Sequence, residues 1–264
     1  MSAERHIHTL CSSEVPSLLT TTRSSPHRCC CDRVGRLDND FFALPIQQLR
    51  CGSKSGDGEL SFAHRQLGPA SGIVIASCIS LRGCLLRALD VSHNRLGDDA
   101  ALAIANALRS NTTLASLDMS SVRRHMSLQD VWVGPGAYRT QQPPPFISRL
   151  AERLALGTNL THLVLSGNFL GVESACLLLR SLRRSRGPAV TPVPPKLLLL
   201  DLRFNRIGRE AGTVLVDALR EVGFGEISLG KLDMRFNEFS DEGGREVRQA
   251  ALEAAGGSGM RVVL

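Results

Sequence analysis

Aromatic residues are scarce in this chain of 264 residues, at 4% of the sequence, with a single Trp and a single Tyr. Hydrophobic residues nevertheless make up 43% of it. Leucine, valine, isoleucine and alanine therefore have to build the core. Because such a composition suits a stack of similar layers, internal repeats are the first feature to look for.

Long apolar runs are also missing. None reaches the roughly 18 to 20 residues that a membrane-spanning helix needs, and the leucines of residues 197–200 are followed at once by Asp201 and Arg203. Residues 1–16 lack the apolar core of a secretory signal, which favours an intracellular, cytoplasmic protein. A mitochondrial address stays open, because arginines and a Ser/Thr cluster near the N-terminus are compatible with one.

Motifs for metal, phosphate or covalent chemistry are absent from the sequence. The eight cysteines include no C-x-x-C pair, and Cys29, Cys30 and Cys31 beside His27 are too close in sequence to converge on one tetrahedral ion. A plain thiol-bearing loop is therefore favoured over a zinc site. No Gly-rich phosphate loop and no H-E-x-x-H sequence occurs. We expect no cofactor and no bound metal.

One unit recurs along most of the chain, and residues 197–220 show it most fully. Leucines at the spacing of a short strand precede a turn with Asn205, and Ala211, Leu215 and Leu219 follow at helical spacing. Further copies carry Asn94, Asn168 and Asn237 at the Asn205 position, whereas the first and third copies have Arg65 and Val122 there. Regular copies follow each other at a step of about 28 to 29 positions, which is a typical length for a repeat.

Two irregular segments interrupt this repeat. Residues 123–145 hold the only Trp and Tyr and four prolines, and they lengthen the third copy by roughly 18 positions beyond the regular step. Residues 183–196 form a basic, proline-rich loop. Residues 1–56 show no regular period and are expected to form an irregular arm, or a cap that packs residues 41–49 on the first repeat. The repeat domain then spans residues 57–264.

The pattern LxxLxLxxNxL followed by a helix resembles the ribonuclease-inhibitor type of leucine-rich repeat. The resemblance implies an α/β fold, a curved solenoid of about six repeats with a parallel β-sheet on the concave face and helices on the convex face. In the turn, the asparagine amides would point inward and bond backbone groups that otherwise lie buried without partners. Asn94, Asn168, Asn205 and Asn237 are therefore interpreted as a structural ladder.

Residues between the inward leucines would line the concave sheet, because alternate strand residues face opposite ways. The candidate protein-binding residues on this face are Asp90, Ser92, His93, Asp118, Asp201, Arg203, Phe204, Asp233, Arg235 and Phe236. Trp132 and Tyr138 are further candidates within the insertion. Phe beside Arg is typical of binding hot spots. The alternative is that Asp201 pairs with Arg235 and Asp233 with Arg203 across strands while the two rings stack.

The function predicted from these features is a non-catalytic scaffold for protein interactions. Asp90, Ser92 and His93 have the residue types of a catalytic triad, yet residues this close on one strand do not converge. We therefore expect no enzyme activity. The resemblance suggests an accessory or structural subunit of a larger intracellular hetero-complex, such as a cilium or flagellum assembly.

Two alternatives stay open beside the scaffold. The Ran GTPase-activating proteins have the same repeat type, although they usually carry an acidic tail that is missing here. The net charge of +6 allows a partner with an acidic surface, or binding to an RNA backbone. Aromatic residues are not interleaved with the densest basic cluster, Arg180, Arg183, Arg184 and Arg186, to which Arg123 and Arg124 would add. Base stacking is therefore not indicated.

Overall fold

A computed structural model describes residues 44–51, 58–81, 83–123, 142–183, 197–208, 211–222, 227, 229–256 and 260–264. The predicted arm up to residue 43, the cysteines at positions 29–31, the arginines at 124, 184 and 186, and the candidates Trp132 and Tyr138 lie outside these residues.

Seven strands of the described chain form one parallel sheet, in which each strand pairs with the next along the sequence. Their bounds are β1 Glu59–Ser61, β2 Ala88–Asp90, β3 Ser116–Asp118, β4 His162–Val164, β5 Leu197–Asp201, β6 Leu229–Asp233 and β7 Arg261–Val263. Sequential order follows from the repeat, because each unit adds its strand to the edge that the previous unit left open.

Helices alternate with the strands in the described residues. They are α1 Ile46–Cys51, α2 Pro69–Ile79, α3 Gly97–Ala107, α4 Pro145–Leu156, α5 Val172–Ser181, α6 Ala211–Val222 and α7 Asp241–Ala255. Each helix packs on its neighbours in the series. Small residues allow the closest approaches: a Cβ on Gly212 of α6 would lie 2.8 Å from the Cα of Gly243 in α7.

The core lies between the sheet and the helices. The central leucines of the strands Leu89, Leu117, Leu163, Leu200 and Leu232 are at most 1% exposed. The apolar faces of the helices cover them, since residues three and four apart fall on one side of a helix. At the N-terminal end, Leu44, Ile46 and Leu49 are buried around α1, which packs on α2.

The residues that pair between neighbouring strands show how many residues each repeat contains and how many are inserted. Glu59, Ala88 and Ser116 occupy the same register position in three consecutive strands, which confirms a nearly constant step along the chain. The next partner of Ser116 is His162. That step exceeds a regular one of about 28 positions by roughly 18. The extra chain falls between β3 and α4, as the sequence predicted.

The four asparagines lie in the interior with exposed fractions of 6% or less. Each amide nitrogen donates to two carbonyls of its own layer and one of the preceding layer, as Asn94 does to Val91, Ser92 and Phe62. Each amide oxygen accepts one or two backbone N–H groups of the preceding layer, and that of Asn94 accepts from Arg65 and Leu67. The ladder therefore joins consecutive turns through groups that have no strand partner.

Val122 keeps the turn although it lacks the amide. It is fully buried, its N–H donates to Asn168 Oδ1 at 3.0 Å, and its carbonyl accepts from Gly97 N–H at 3.1 Å. Gly208 N–H donates to the Asn237 carbonyl in the same way. Residues 121–123 therefore keep the turn, because the backbone N–H and carbonyl of Val122 both have partners.

Arg123 closes the layer in which the insertion begins. Its Nη1 donates to the Asn168 carbonyl at 2.9 Å. In the layers of Val122 and Asn237, the equivalent carbonyl accepts a hydrogen bond from a backbone N–H instead. Arg123 Nε lies 2.5 Å from Asp98 Oδ1. Arg123 is only 7% exposed. Its predicted place in an exposed basic cluster is therefore wrong, because its guanidinium replaces a backbone donor inside the solenoid.

Candidate interaction surface

Acidic side chains form a row along the carboxyl ends of the strands. The ladder register aligns Ser61, Asp90, Asp118, Val164, Asp201 and Asp233. This is the row expected if the leucines alternate inward.

The carboxylates of this row cap the turns that follow the strands. Asp90 and Asp118 each accept the backbone N–H of the serine two residues on, at 2.9 and 2.8 Å. Asp201 and Asp233 accept the N–H groups of Arg203 and Arg235 in the same way, at 3.0 and 3.4 Å. An aspartate that bonds the backbone two residues later favours a turn there, so the acidic row is part of the fold.

The two arginines pair with the aspartates of their own strands. Arg203 Nη2 lies 2.7 Å from Asp201 Oδ2, and Arg235 Nη2 lies 2.9 Å from Asp233 Oδ2, with Lys231 Nζ at 3.1 Å from the same oxygen. The cross-strand pairing considered from the sequence is therefore wrong. Residues i and i+2 project from the same face and meet within one layer, which brings each arginine to its own aspartate first.

These contacts give the aspartates of the row different electrostatic environments. Burial raises the pKa of Asp118 above the usual value, and the nearby charges of Asp90 and Asp201 add to the increase against the lowering effect of Ser120. For Asp233, burial also acts upward, but the hydrogen bonds from Arg235 and Lys231 outweigh it and lower its pKa. The hydrogen bond to Asp201 raises the pKa of Arg203. The aspartates of the two C-terminal layers are therefore paired with cationic side chains.

Three residues after each member of this row, the chain has a residue in the left-handed region of the backbone. The φ angles of this column lie between 51° and 66° at His64, His93, Ser121, Gly167, Phe204 and Phe236. Glycine adopts this conformation without strain, whereas a bulky side chain is an outlier there. The column defines the edge of the sheet.

Rings stack at both ends of this column. Phe204 and Phe236 lie with centroids 4.3 Å apart at an angle of 9°, and His64 and His93 at 4.3 Å and 8°. The stacking predicted for the two phenylalanines is confirmed. Stacking does not bury them, because Phe204 and Phe236 remain 56% and 63% exposed.

A second aromatic contact lies near the same edge and was not expected from the sequence. The guanidinium of Arg206 lies over the Phe169 ring, 4.7 Å from its centroid, and Phe169 also has a positive φ, of 57°. Phe169 directly follows Asn168, so its sequence position marks it as a residue of the turn. We call Phe204, Phe236, Arg203 and Arg235 the Phe–Arg patch; Arg206, of the Arg206–Phe169 pair, follows Phe204 by two residues.

The remaining candidates have structural contacts. Ser92 and Ser120 are buried at 5%, and the Asp118 Oδ1 atom accepts from the Ser120 hydroxyl at 2.6 Å. Asp90 accepts from the Ser61 hydroxyl at 2.8 Å. Within the described residues, no three His, Cys, Asp or Glu side chains are placed to hold a metal ion, and no helix there is long and apolar enough to cross a membrane.

The basic cluster predicted around residues 180–186 is weakened by a local ion pair. Arg180 Nε lies 2.6 Å from Glu221 Oε2 on the next helix. With Arg123 buried as well, the described part of this cluster offers less free positive charge than the sequence indicated.

A family model described as "Leucine Rich repeat" matches residues 84–105 and 227–247, one segment near each end of the solenoid. Both segments hold a strand, an inward asparagine and the start of a helix. The protein has a leucine-rich repeat fold. No curated protein sequence matches the chain. Among solved structures, the leucine-rich repeat solenoid is similar to "Leiomodin-1 Actin-Binding Site 2 (ABS2)" at 13% identity. That match covers 81% of this chain and 89% of the other, at a TM-score of 0.37, which supports no functional conclusion.

Proposed function

We propose that this leucine-rich repeat protein is a non-catalytic scaffold that binds a protein partner through the Phe–Arg patch. One observation carries the proposal: Phe204 and Phe236 occupy left-handed backbone positions while each residue is more than half exposed to solvent. A left-handed conformation costs an L-residue about 1 to 2 kcal/mol. Gly or Asn would be less strained at these two positions, and the fold gains no buried apolar surface from the phenylalanines. Their presence therefore indicates a role in binding a partner.

The arginines beside the rings support the same role. Arg203 and Arg235 are 35% and 41% exposed, and their aspartates, which are almost fully buried, hold the guanidinium groups in place. Less side-chain entropy is then lost when a partner binds. Aromatic rings flanked by fixed arginines match the residue types that dominate binding hot spots. The partner segment should therefore present apolar and carboxylate groups together.

We also propose the type of repeat and the kind of assembly, on the basis of this patch and of the repeat length. The nearly constant step from Glu59 to Ala88 and from Ala88 to Ser116 supports the ribonuclease-inhibitor type of repeat. A structural or accessory subunit of an intracellular complex, of the kind found in cilia or flagella, is the assembly that we propose for such a scaffold. Trp132 and Tyr138 are proposed as a second contact.

The test combines stability with partner recovery. Phe204→Asn with Phe236→Asn should leave the urea midpoint unchanged or higher, because Asn tolerates the left-handed region, and should abolish the partner crosslinks mapped by mass spectrometry on the full chain. Leu85→Asn is the matched control, since Leu85 is 60% exposed but precedes β2 at the opposite end of the strands. Crosslinks that survive the double substitution would remove the patch from the proposal. If the protein accelerates GTP hydrolysis by a small GTPase in single-turnover assays, the scaffold proposal is wrong and the GTPase-activating alternative replaces it.

A further inference from the structure

A cavity of about 550 Å³ opens on the helical side of the solenoid, between the C-terminal end of α3 and the second half of α4. Its lining residues are Asn106, Arg109, Arg149, Glu152, Arg153 and Leu156. It is formed by helices and the turn after α3, so it is separate from the Phe–Arg patch at the edge of the sheet.

Positive charge exceeds negative charge in this cavity. Glu152 is the only carboxylate of the lining, and it forms ion pairs with both Arg149 and Arg153. The side chain of Arg109 has no ion pair with another described residue. Three guanidinium groups therefore share one carboxylate, and the cavity carries two uncompensated positive charges.

Arg153 adds a second, independent observation. Its side chain is only 13% exposed, and its Nε atom is buried without a hydrogen-bond partner among the residues that the structure describes. Buried N–H groups are normally satisfied. The negative end of the α4 dipole accounts for an arginine in its last turn. It does not account for a donor left without an acceptor, or for the unpaired Arg109 nearby.

We propose that this cavity binds an acidic peptide segment of a partner protein. A guanidinium group binds a carboxylate by donating two parallel hydrogen bonds. In this cavity, Arg109 and Arg149 would donate such bonds to the carboxylates of the bound peptide. Leu156 lines the same cavity and is 70% exposed, which offers an apolar contact to a hydrophobic residue within the acidic segment. The lining contains no aromatic ring on which a nucleobase could stack, so a peptide fits better than RNA.

The probe is a fluorescein-labelled peptide of sequence Glu-Glu-Leu-Glu-Glu, titrated with the full chain and followed by fluorescence anisotropy. We expect binding that weakens as salt rises. Arg109→Gln with Arg149→Gln should weaken binding about tenfold or more, because hydrogen bonds between charged groups are roughly twice as strong as neutral ones. Glu152→Gln should strengthen it, since the competing carboxylate is removed.

Arg220→Gln is the matched control, because Arg220 is an exposed arginine of α6 that lies 3.9 Å from the Asp217 carboxylate. The control should bind as the unchanged protein does, and so should the Phe204→Asn, Phe236→Asn variant, which separates this site from the patch. Circular dichroism melts check that each variant is folded. Unchanged affinity in the double arginine variant, weaker binding by Glu152→Gln, or displacement by equal concentrations of inorganic phosphate or RNA would overturn the proposal.

Discussion

Asn205→Ala is the substitution that best tests the structural ladder, because every bond of this side chain is inside the protein. Asn205 Oδ1 accepts the N–H groups of Asn168 at 3.0 Å and Leu170 at 3.1 Å. Its Nδ2 donates to the carbonyls of Leu165, Leu202 and Arg203 at 3.1, 2.9 and 3.2 Å. Alanine removes all five bonds and leaves two buried N–H donors without an acceptor.

Each buried donor that loses its partner costs about 1 to 3 kcal/mol. With partial relief from water entering the vacated space, we expect Asn205→Ala to lower the free energy of unfolding by about 2 to 4 kcal/mol. Asn106→Ala is the control, since Asn106 is exposed on α3, where alanine is the better helix former by up to about 0.7 kcal/mol. Urea titrations followed by circular dichroism measure both. Equal losses of stability in the two variants would refute the inward role of the asparagine.

Three further predictions concern the interior and the acidic row. Arg123→Ala should lower the urea midpoint strongly and Arg123→Gln less, because glutamine can still donate to the carbonyl that the guanidinium bonds; equal midpoints would show that the guanidinium does not serve as the replacement donor. The folded-state pKa of Asp118 is raised, so ionisation of this group costs stability as pH rises above about 4. The stability of Asp118→Asn relative to the unchanged protein should then be greater at pH 7 than at pH 4, and the opposite trend in urea titrations would contradict the assignment. Gly212→Ala should cost about 1 to 3 kcal/mol through contact with the Gly243 backbone, whereas Gly244→Ala in the same helix pair, where a Cβ meets nothing closer than 3.8 Å, should gain about 0.5 to 1 kcal/mol; thermal melts that rank the two in reverse would contradict the close helix approach.

Much of the architecture could be predicted from local patterns. Leucine spacing identifies the strands and the buried helix faces, because the side-chain periods of strand and helix differ. The length of the first insertion follows from the number of extra positions between the third copy of the repeat and the next regular one. The aspartate row follows from the same reasoning, since one residue per strand in each repeat must occupy the same register.

The candidate surface could be predicted only in part. The stacked phenylalanines follow from their shared position in adjacent repeats. The partners of Arg203 and Arg235 do not, because a choice between two nearby aspartates depends on distances of a few ångströms. Arg123 illustrates the same limit: its sequence neighbours suggest a solvated basic cluster, whereas its burial depends on where the insertion leaves the solenoid.

The sequence by itself determined the repeat, its period, its interruption and the inward asparagines, since each of these follows from residues within one unit or its copies. Only the tertiary structure decided which arginine is buried, which aspartate is paired, and that three arginines from α4 and the turn after α3 line one cavity. These features arise where different layers meet. Their energies depend on distances and burial that no local pattern contains.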